Sequence, residues 1–141
     1  MTIGLIVLAA ALVAAAVIGI TRRVRDGRLR AAAPAGAGHV SPVAPLVEGG
    51  LGERATLVQF SSAFCAPCRA TRQLLTLVAE QTPDVRHVEI DAESHLELVR
   101  TLGIARTPTT LVLDATGRET ARITGLPRRD AVDAATGALT S

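Results

Sequence analysis

The sequence predicts a small α/β domain, a central mixed sheet flanked by helices, behind one membrane-length N-terminal helix. Three observations carry that prediction. Thr2–Ile20, TIGLIVLAAALVAAAVIGI, contains no charged residue. From Ala55 onward, short β-branched runs alternate with stretches of helical periodicity in the order β-α-β-α-β-β-α. The chain's two cysteines fall together at the first strand–helix junction, in FCAPCR, Phe64–Arg69.

The elements follow in order. ATLVQF (Ala55–Phe60) is apolar and β-branched and reads as a strand running straight into the cysteines. From Cys65 a helical stripe takes over, with Cys68, Thr71, Leu75 and Val78 on one face, and Pro83 ends it. VRHVEID (Val85–Asp91) alternates as a second strand, and a strand–helix–strand unit of this kind predicts a right-handed parallel crossover. Leu98, Val99 and Leu102 mark a short helix stopped at Gly103. TTLVLD (Thr109–Asp114) and ETARIT (Glu119–Thr124) flank a turn in which Gly117 supplies positive φ, so they form a hairpin at an antiparallel edge. Pro127 is suited to the first turn of a last helix, with Val132, Ala135 and Leu139 facing inward.

A helix over Thr2–Ile20 is about 30 Å long, the hydrocarbon thickness of a bilayer. A secretory signal has a basic n-region and a nearby small-residue cleavage site. Here the basic residues follow the apolar run, as Arg22, Arg23, Arg25, Arg28 and Arg30 against Asp26 alone, and this order predicts an uncleaved anchor. The same cluster predicts an outward N-terminus, a domain on the cytoplasmic side and contact with membrane lipid. Residues 1–21 are therefore read as the anchor, 22–45 as a basic juxtamembrane segment and flexible linker, and 46–141 as the folded domain. From Ser41 onward ten Arg face twelve Asp and Glu, so the net charge of +2 comes from the juxtamembrane block and nucleic acid is not an expected partner. All 15 basic residues are Arg, which reads as the coding bias of a GC-rich bacterial genome and bears on no function.

Two thiols separated by two residues can clasp a metal, lock a turn or exchange with other disulfides. A structural zinc site takes four ligands, and beyond the cysteines only His39, His87 and His95 are candidates, in the linker, a strand and a helix. An inert bridge closing so small a loop would constrain little of the unfolded chain. A dithiol at the start of a helix suits exchange instead. Cys65 sits where unpaired N–H groups and the helix dipole favour a thiolate, with Arg69 adding positive charge. Cys68, one turn further in on the buried stripe, is placed to resolve a mixed disulfide, and Pro67 restricts the loop between them.

With TLVQFSSAFCAPCR, VEID, GIARTPTTLVL and GRETARITG in this order, the chain resembles thioredoxin-family proteins over roughly Ala55–Leu139. The resemblance implies a thioredoxin-like fold and a redox-active disulfide between Cys65 and Cys68, with no dissolved cofactor and no metal. It implies a cis peptide at Thr107–Pro108 beside that disulfide. Phe64, Ala66, Pro67, Thr107, Pro108, Gly125 and Gln59 then form the substrate groove and active-site support. The departures are specific. Phe64 stands where the family has tryptophan, Gln59 where it has a buried acid, and His87 where a lysine usually neighbours that acid. Cys68 is then assisted by His87 or by a water held by Gln59, or else His87 is a satisfied strand histidine; His95 reads as a helix-surface residue. Val43–Arg54 is too short and Gly-rich for the family's leading strand and helix, so a trimmed fold is expected.

The implied activity is a membrane-tethered thiol–disulfide oxidoreductase that reduces protein disulfides. Its electrons would come from a thioredoxin-reductase-like enzyme or a membrane dithiol carrier. The alternatives are an extracytoplasmic thioredoxin-like protein serving cytochrome c maturation or envelope redox, and a non-enzymatic adaptor on the same fold.

Overall fold

The computed structural model describes residues 2–25, 29–31 and 40–137. Its elements are α1 (Thr2–Arg25), β1 (Leu29–Ala31), a 3-10 turn at Ala44–Leu46, β2 (Ala55–Ser61), α2 (Ala66–Gln81), β3 (Val85–Asp91), α3 (Leu96–Thr101), β4 (Thr109–Leu113), β5 (Glu119–Thr124) and α4 (Arg129–Gly137). His39, Arg28, Leu139 and positions 32–38 of the expected linker lie outside the described residues.

The sheet order is β1-β5-β4-β2-β3. β2 pairs parallel with β3, while β2–β4, β4–β5 and β1–β5 are antiparallel, which makes the sheet mixed as expected. All seven residues of β2 are buried, because this strand is hydrogen-bonded on both sides and covered on both faces. Its alternation divides the core. Ala55 and Leu57 pack with Leu75 and Val78 of α2, Val85, Val112, Ile123 and Val132 of α4. Val58 and Phe60 face the other way, onto Ile90, Ile104, Leu111, Leu113 and the turn residues Val43 and Val47, with Leu98, Val99 and Leu102 at the rim. Helices therefore cover both faces.

Two details differ from the sequence reading. The stretch expected to be linker contributes β1, which pairs Leu29 with Ile123 and Ala31 with Ala121. An unpaired β5 would leave a row of open backbone groups at the sheet edge, and three residues of upstream chain occupy it. As expected of a trimmed fold, segment 40–54 contains only one isolated bridge, Val40 to Arg118, and the 3-10 turn, with no α-helix. It still closes the lower core, because Val43 and Val47 project into it. The last helix begins at Arg129 rather than Pro127, since the carbonyl of Arg128 is the acceptor for Val132 N–H at 3.1 Å.

The strand, helix and turn signals otherwise agree with the structure. The buried face of α2 is Cys68, Thr71, Leu75 and Val78, and Gly117 in the β4–β5 turn has φ +81°. Gly117 is also fixed sterically, because an added Cβ would lie 2.8 Å from the Cβ of Ala44. α1 is long and apolar enough to cross a membrane, with mean hydropathy 2.9 over Ile3–Arg22 and none of that stretch buried. It continues as helix past Ile20 into the arginines.

Leu75 is fully buried between the sheet and the inner face of α2. Leu75→Ala is expected to lower stability by about 2–5 kcal/mol through lost apolar contact and the cavity left behind. A urea midpoint shifted down at unchanged slope would register this, and a loss under about 1 kcal/mol would show that the core is not closed around α2.

Candidate active site

Both cysteines sit where β2 hands the chain to α2. After Ser61 the chain turns, and Cys65 caps α2 in an extended conformation while its sulfur accepts the N–H of Cys68 at 3.2 Å. Ala66 and Pro67 form the first helical positions, where the missing proline N–H has no intrahelical partner to lose. Cys65 and Cys68 are joined as a disulfide with Cα atoms 5.2 Å apart. Their environments differ. Cys65 is part-exposed, whereas Cys68 is 2% exposed on the buried face of α2. Phe64, immediately before the pair, is fully exposed.

Thr107–Pro108 is a cis peptide, and hydrogen bonds tie its loop to neighbouring segments. The Gly125 N–H donates to the Pro108 carbonyl at 2.8 Å, from a left-handed backbone with φ +84° that favours glycine. The hydroxyls of Ser62 and Thr107 lie 3.1 Å apart, linking the cysteine loop to the proline loop. Ser62 carries no signal in the sequence. A serine in a loop has no periodicity to mark it, and only the folded chain brings it to Thr107.

Gln59 is fully buried on β2, and its amide is the node of a polar chain. Its Nε2 donates to the Cys68 carbonyl at 2.9 Å, so Oε1 is the end facing His87 Nε2 at 3.2 Å. An amide oxygen only accepts, so His87 carries its proton on Nε2. The other ring nitrogen, Nδ1, then accepts from the Thr76 hydroxyl at 3.2 Å. His87 is thus a hydrogen-bonded strand residue that touches Gln59, and Thr76 is a further member that spacing alone does not reveal. Burial pushes the His87 pKa below 6.5, with nearby Glu89 opposing and Arg72 assisting. Glu89, hydrogen-bonded through both oxygens by Arg72, is held below the ordinary carboxylate range despite partial burial, with Ser61 also donating to it. His95 is exposed at the start of α3, its Nδ1 3.0 Å from the Asp91 carbonyl, and stands apart from this chain. No group of three or more His, Cys, Asp or Glu among the described residues is placed to hold a metal.

A helix capped by one of two bridged cysteines, together with a loop that carries a cis-proline, is the arrangement of a known family. The family profile of thioredoxin-like domains matches residues 49–139. The chain belongs to the thioredoxin-like domain family. It is 38% identical over 58 residues to human thioredoxin domain-containing protein 2, covering 41% of this chain and 10% of that protein, so it spans a small part of that relative's length. Among solved structures it superposes on a point-mutant thioredoxin from Halobacterium salinarum with TM-score 0.57 and 26% identity, covering 63% of this chain and 77% of that one. Thioredoxin f from spinach chloroplast, long form, gives TM-score 0.56 and 25% identity, covering 64% and 74%.

The polar chain generates two predictions. Both pKa shifts are downward, so both groups lose native stability as pH falls. The unfolded chain protonates His87 near 6.5 and Glu89 near 4.5, before the native state does. Stability should be flat above about pH 6.5, decline below it through His87 and decline again below about 4.5 through Glu89. His87→Gln keeps an amide donor toward Gln59 and should flatten the first decline only, read from urea midpoints across pH. In the second, Gln59→Glu places a carboxylate oxygen against the Cys68 carbonyl, two acceptors with no proton between them. A loss of about 1–3 kcal/mol is expected near neutral pH, smaller at pH 5 where the acid can be protonated. Equal stability of the two proteins at pH 7 would remove Gln59 Nε2 from the account of Cys68.

Proposed function

We propose that this chain is a membrane-tethered thiol–disulfide oxidoreductase that reduces protein disulfides, with Cys65 attacking and Cys68 resolving. The observation that carries the reading is the asymmetry of the pair. Cys65 is part-exposed at the N-terminus of α2 and accepts a backbone N–H, while Cys68 is buried one turn inward. The N–H contact and the helix dipole both favour negative charge on Cys65.

In the reduced protein the Cys65 thiolate attacks one sulfur of a substrate disulfide. The other substrate sulfur leaves as a thiolate and takes a proton from solvent. Cys68 then gives up its proton and attacks Cys65 Sγ, the mixed disulfide breaks, and the second substrate thiol departs. Two electrons have passed to the substrate, and the Cys65–Cys68 disulfide remains. A donor dithiol, from a thioredoxin-reductase-like enzyme or a membrane carrier, reverses that bond. Gln59 cannot take a proton, so Cys68 discharges to solvent or to the departing thiolate, while the amide fixes the Cys68 carbonyl. Phe64, Ala66, Pro67, Thr107, Pro108 and Gly125 form the surface against which substrate lies. The redox-active disulfide is the whole of the cofactor, and neither a metal nor nucleic acid has a role in this reading.

α1 supplies the tether, lying in the membrane as a single span. The arginines at its C-terminal end and just beyond support a cytoplasmic domain, on the side where thiols are kept reduced and reduction is the favoured direction.

Cys68→Ser should accumulate mixed disulfides on Cys65 when the reduced protein meets a protein disulfide, and Cys65→Ser should accumulate few. Reduced Cys65 should also be alkylated about tenfold or more faster than Cys68, given its exposure and helix position. Equal trapping by the two mutants would overturn the assignment. Full-length protein should stay with membranes through a carbonate wash, and its release there would remove the tether.

A further inference from the structure

Strand directions fix where the anchor meets the domain. β1 is antiparallel to β5, β5 to β4 and β4 to β2, so β1 runs antiparallel to β2. One cross-strand row reads Leu29, Ile123, Thr110, Gln59 and Glu89. The next described position of β1, Arg30, is level with Arg122 and Leu111, one row further from the cysteines. The chain therefore enters the sheet from the end that carries Cys65, Pro108 and Gly125. It leaves toward the far end, where Val40 bridges Arg118 beside the β4–β5 turn.

α1 ends at Arg25 and β1 begins at Leu29. Four residue steps span at most about 14 Å, even fully extended. β1 stands three strands from β2, a lateral offset of about 14 Å. With α1 in the bilayer and its arginines at the headgroups, the cysteine end of the sheet cannot stand far from the membrane. The opposite end is about 20 Å further along the strands. The near end also exposes apolar side chains suited to an interface. Phe64 is fully exposed, Leu96 55% and Leu126 47%.

We propose that the Cys65 end of the domain faces the bilayer, and that its substrates are disulfides carried at headgroup level by membrane proteins. The inference rests on the reading that α1 spans a membrane. Cys65 attacks the partner's disulfide to give the mixed disulfide, and Cys68 displaces the partner's second thiol, by the electron balance given above. A short connector makes this reaction effectively intramolecular within the membrane plane.

The chain has no tryptophan, so Phe64→Trp and Ala115→Trp each give a single reporter, one at each end of the sheet, both at exposed positions. Each reduced, full-length variant is reconstituted into phosphatidylcholine vesicles with and without a lipid bearing a nitroxide on its headgroup. Floating the vesicles on a density gradient first scores the anchor separately, since protein left behind means that α1 does not span. For protein that floats, quenching at position 64 should exceed that at 115 at least threefold. Equal quenching, or more at 115, overturns the orientation. The native protein is then compared with one carrying a flexible Gly-Ser insertion of about twenty residues between Asp26 and Gly27, whose reach is about 25 Å. The substrates are a lipid with a short headgroup-linked alkyl disulfide and the same alkyl disulfide in solution. The insertion should slow reduction of the lipid-borne disulfide about tenfold and leave the soluble rate unchanged. No change, or an increase, overturns the assignment of membrane-borne substrates. Quenching at 64 without that rate loss means that the cysteine end touches lipid only, which overturns it equally.

Discussion

The double-sided burial of β2 is the constraint on which the rest depends. A strand hydrogen-bonded on both edges and covered on both faces has no freedom of register, because a one-residue slip would exchange Leu57 with Val58 and Gln59 with Phe60 between the two cores. Ser61 and the loop after it are therefore delivered to a fixed place. α2 is equally fixed by Leu75 and Val78, fully buried beneath it. The cysteines sit between two rigid elements, and their unequal exposure follows from that placement rather than from any property of the loop.

Gln59 illustrates what this rigidity permits. A buried polar side chain is tolerated when its hydrogen bonds are met, and here the amide gives one hydrogen to the Cys68 carbonyl while its oxygen accepts from His87. An amide brings no charge into the core, so a lysine partner beside it is unnecessary, and a neutral histidine completes the chain to Thr76. The redox pair is thereby supported by neutral dipoles. The groups nearby whose pKa values shift are His87 and Glu89, both downward.

The edge strand β1 joins α1 to the end of the sheet that carries the cysteines. Residues 29–31 pair with β5, and that pairing shortens the segment between α1 and the domain to a few residues. A free linker of the length read from composition would place no limit on orientation. A linker captured by a sheet edge does so, at the end where the disulfide lies.

The sequence by itself determined the elements of the domain and the chemistry of the pair. The apolar, β-branched run Ala55–Phe60, the alternation in Val85–Asp91, the stripe from Cys68 to Val78 and the turn at Gly117 are local patterns, and local patterns are set by which face of a strand or helix must be buried. Cys-Ala-Pro-Cys at a strand–helix junction was legible for the same reason, since helix termini are marked in sequence. Only the tertiary structure decided the rest. It brought Thr107 to Ser62, 45 positions away, and His87 to Gln59, 28 positions away. It turned residues 29–31 from linker into strand, because an open edge at β5 was there to be filled. Those contacts depend on the direction and order of strands distant in the chain, and no periodicity within a segment records which distant edge it will meet.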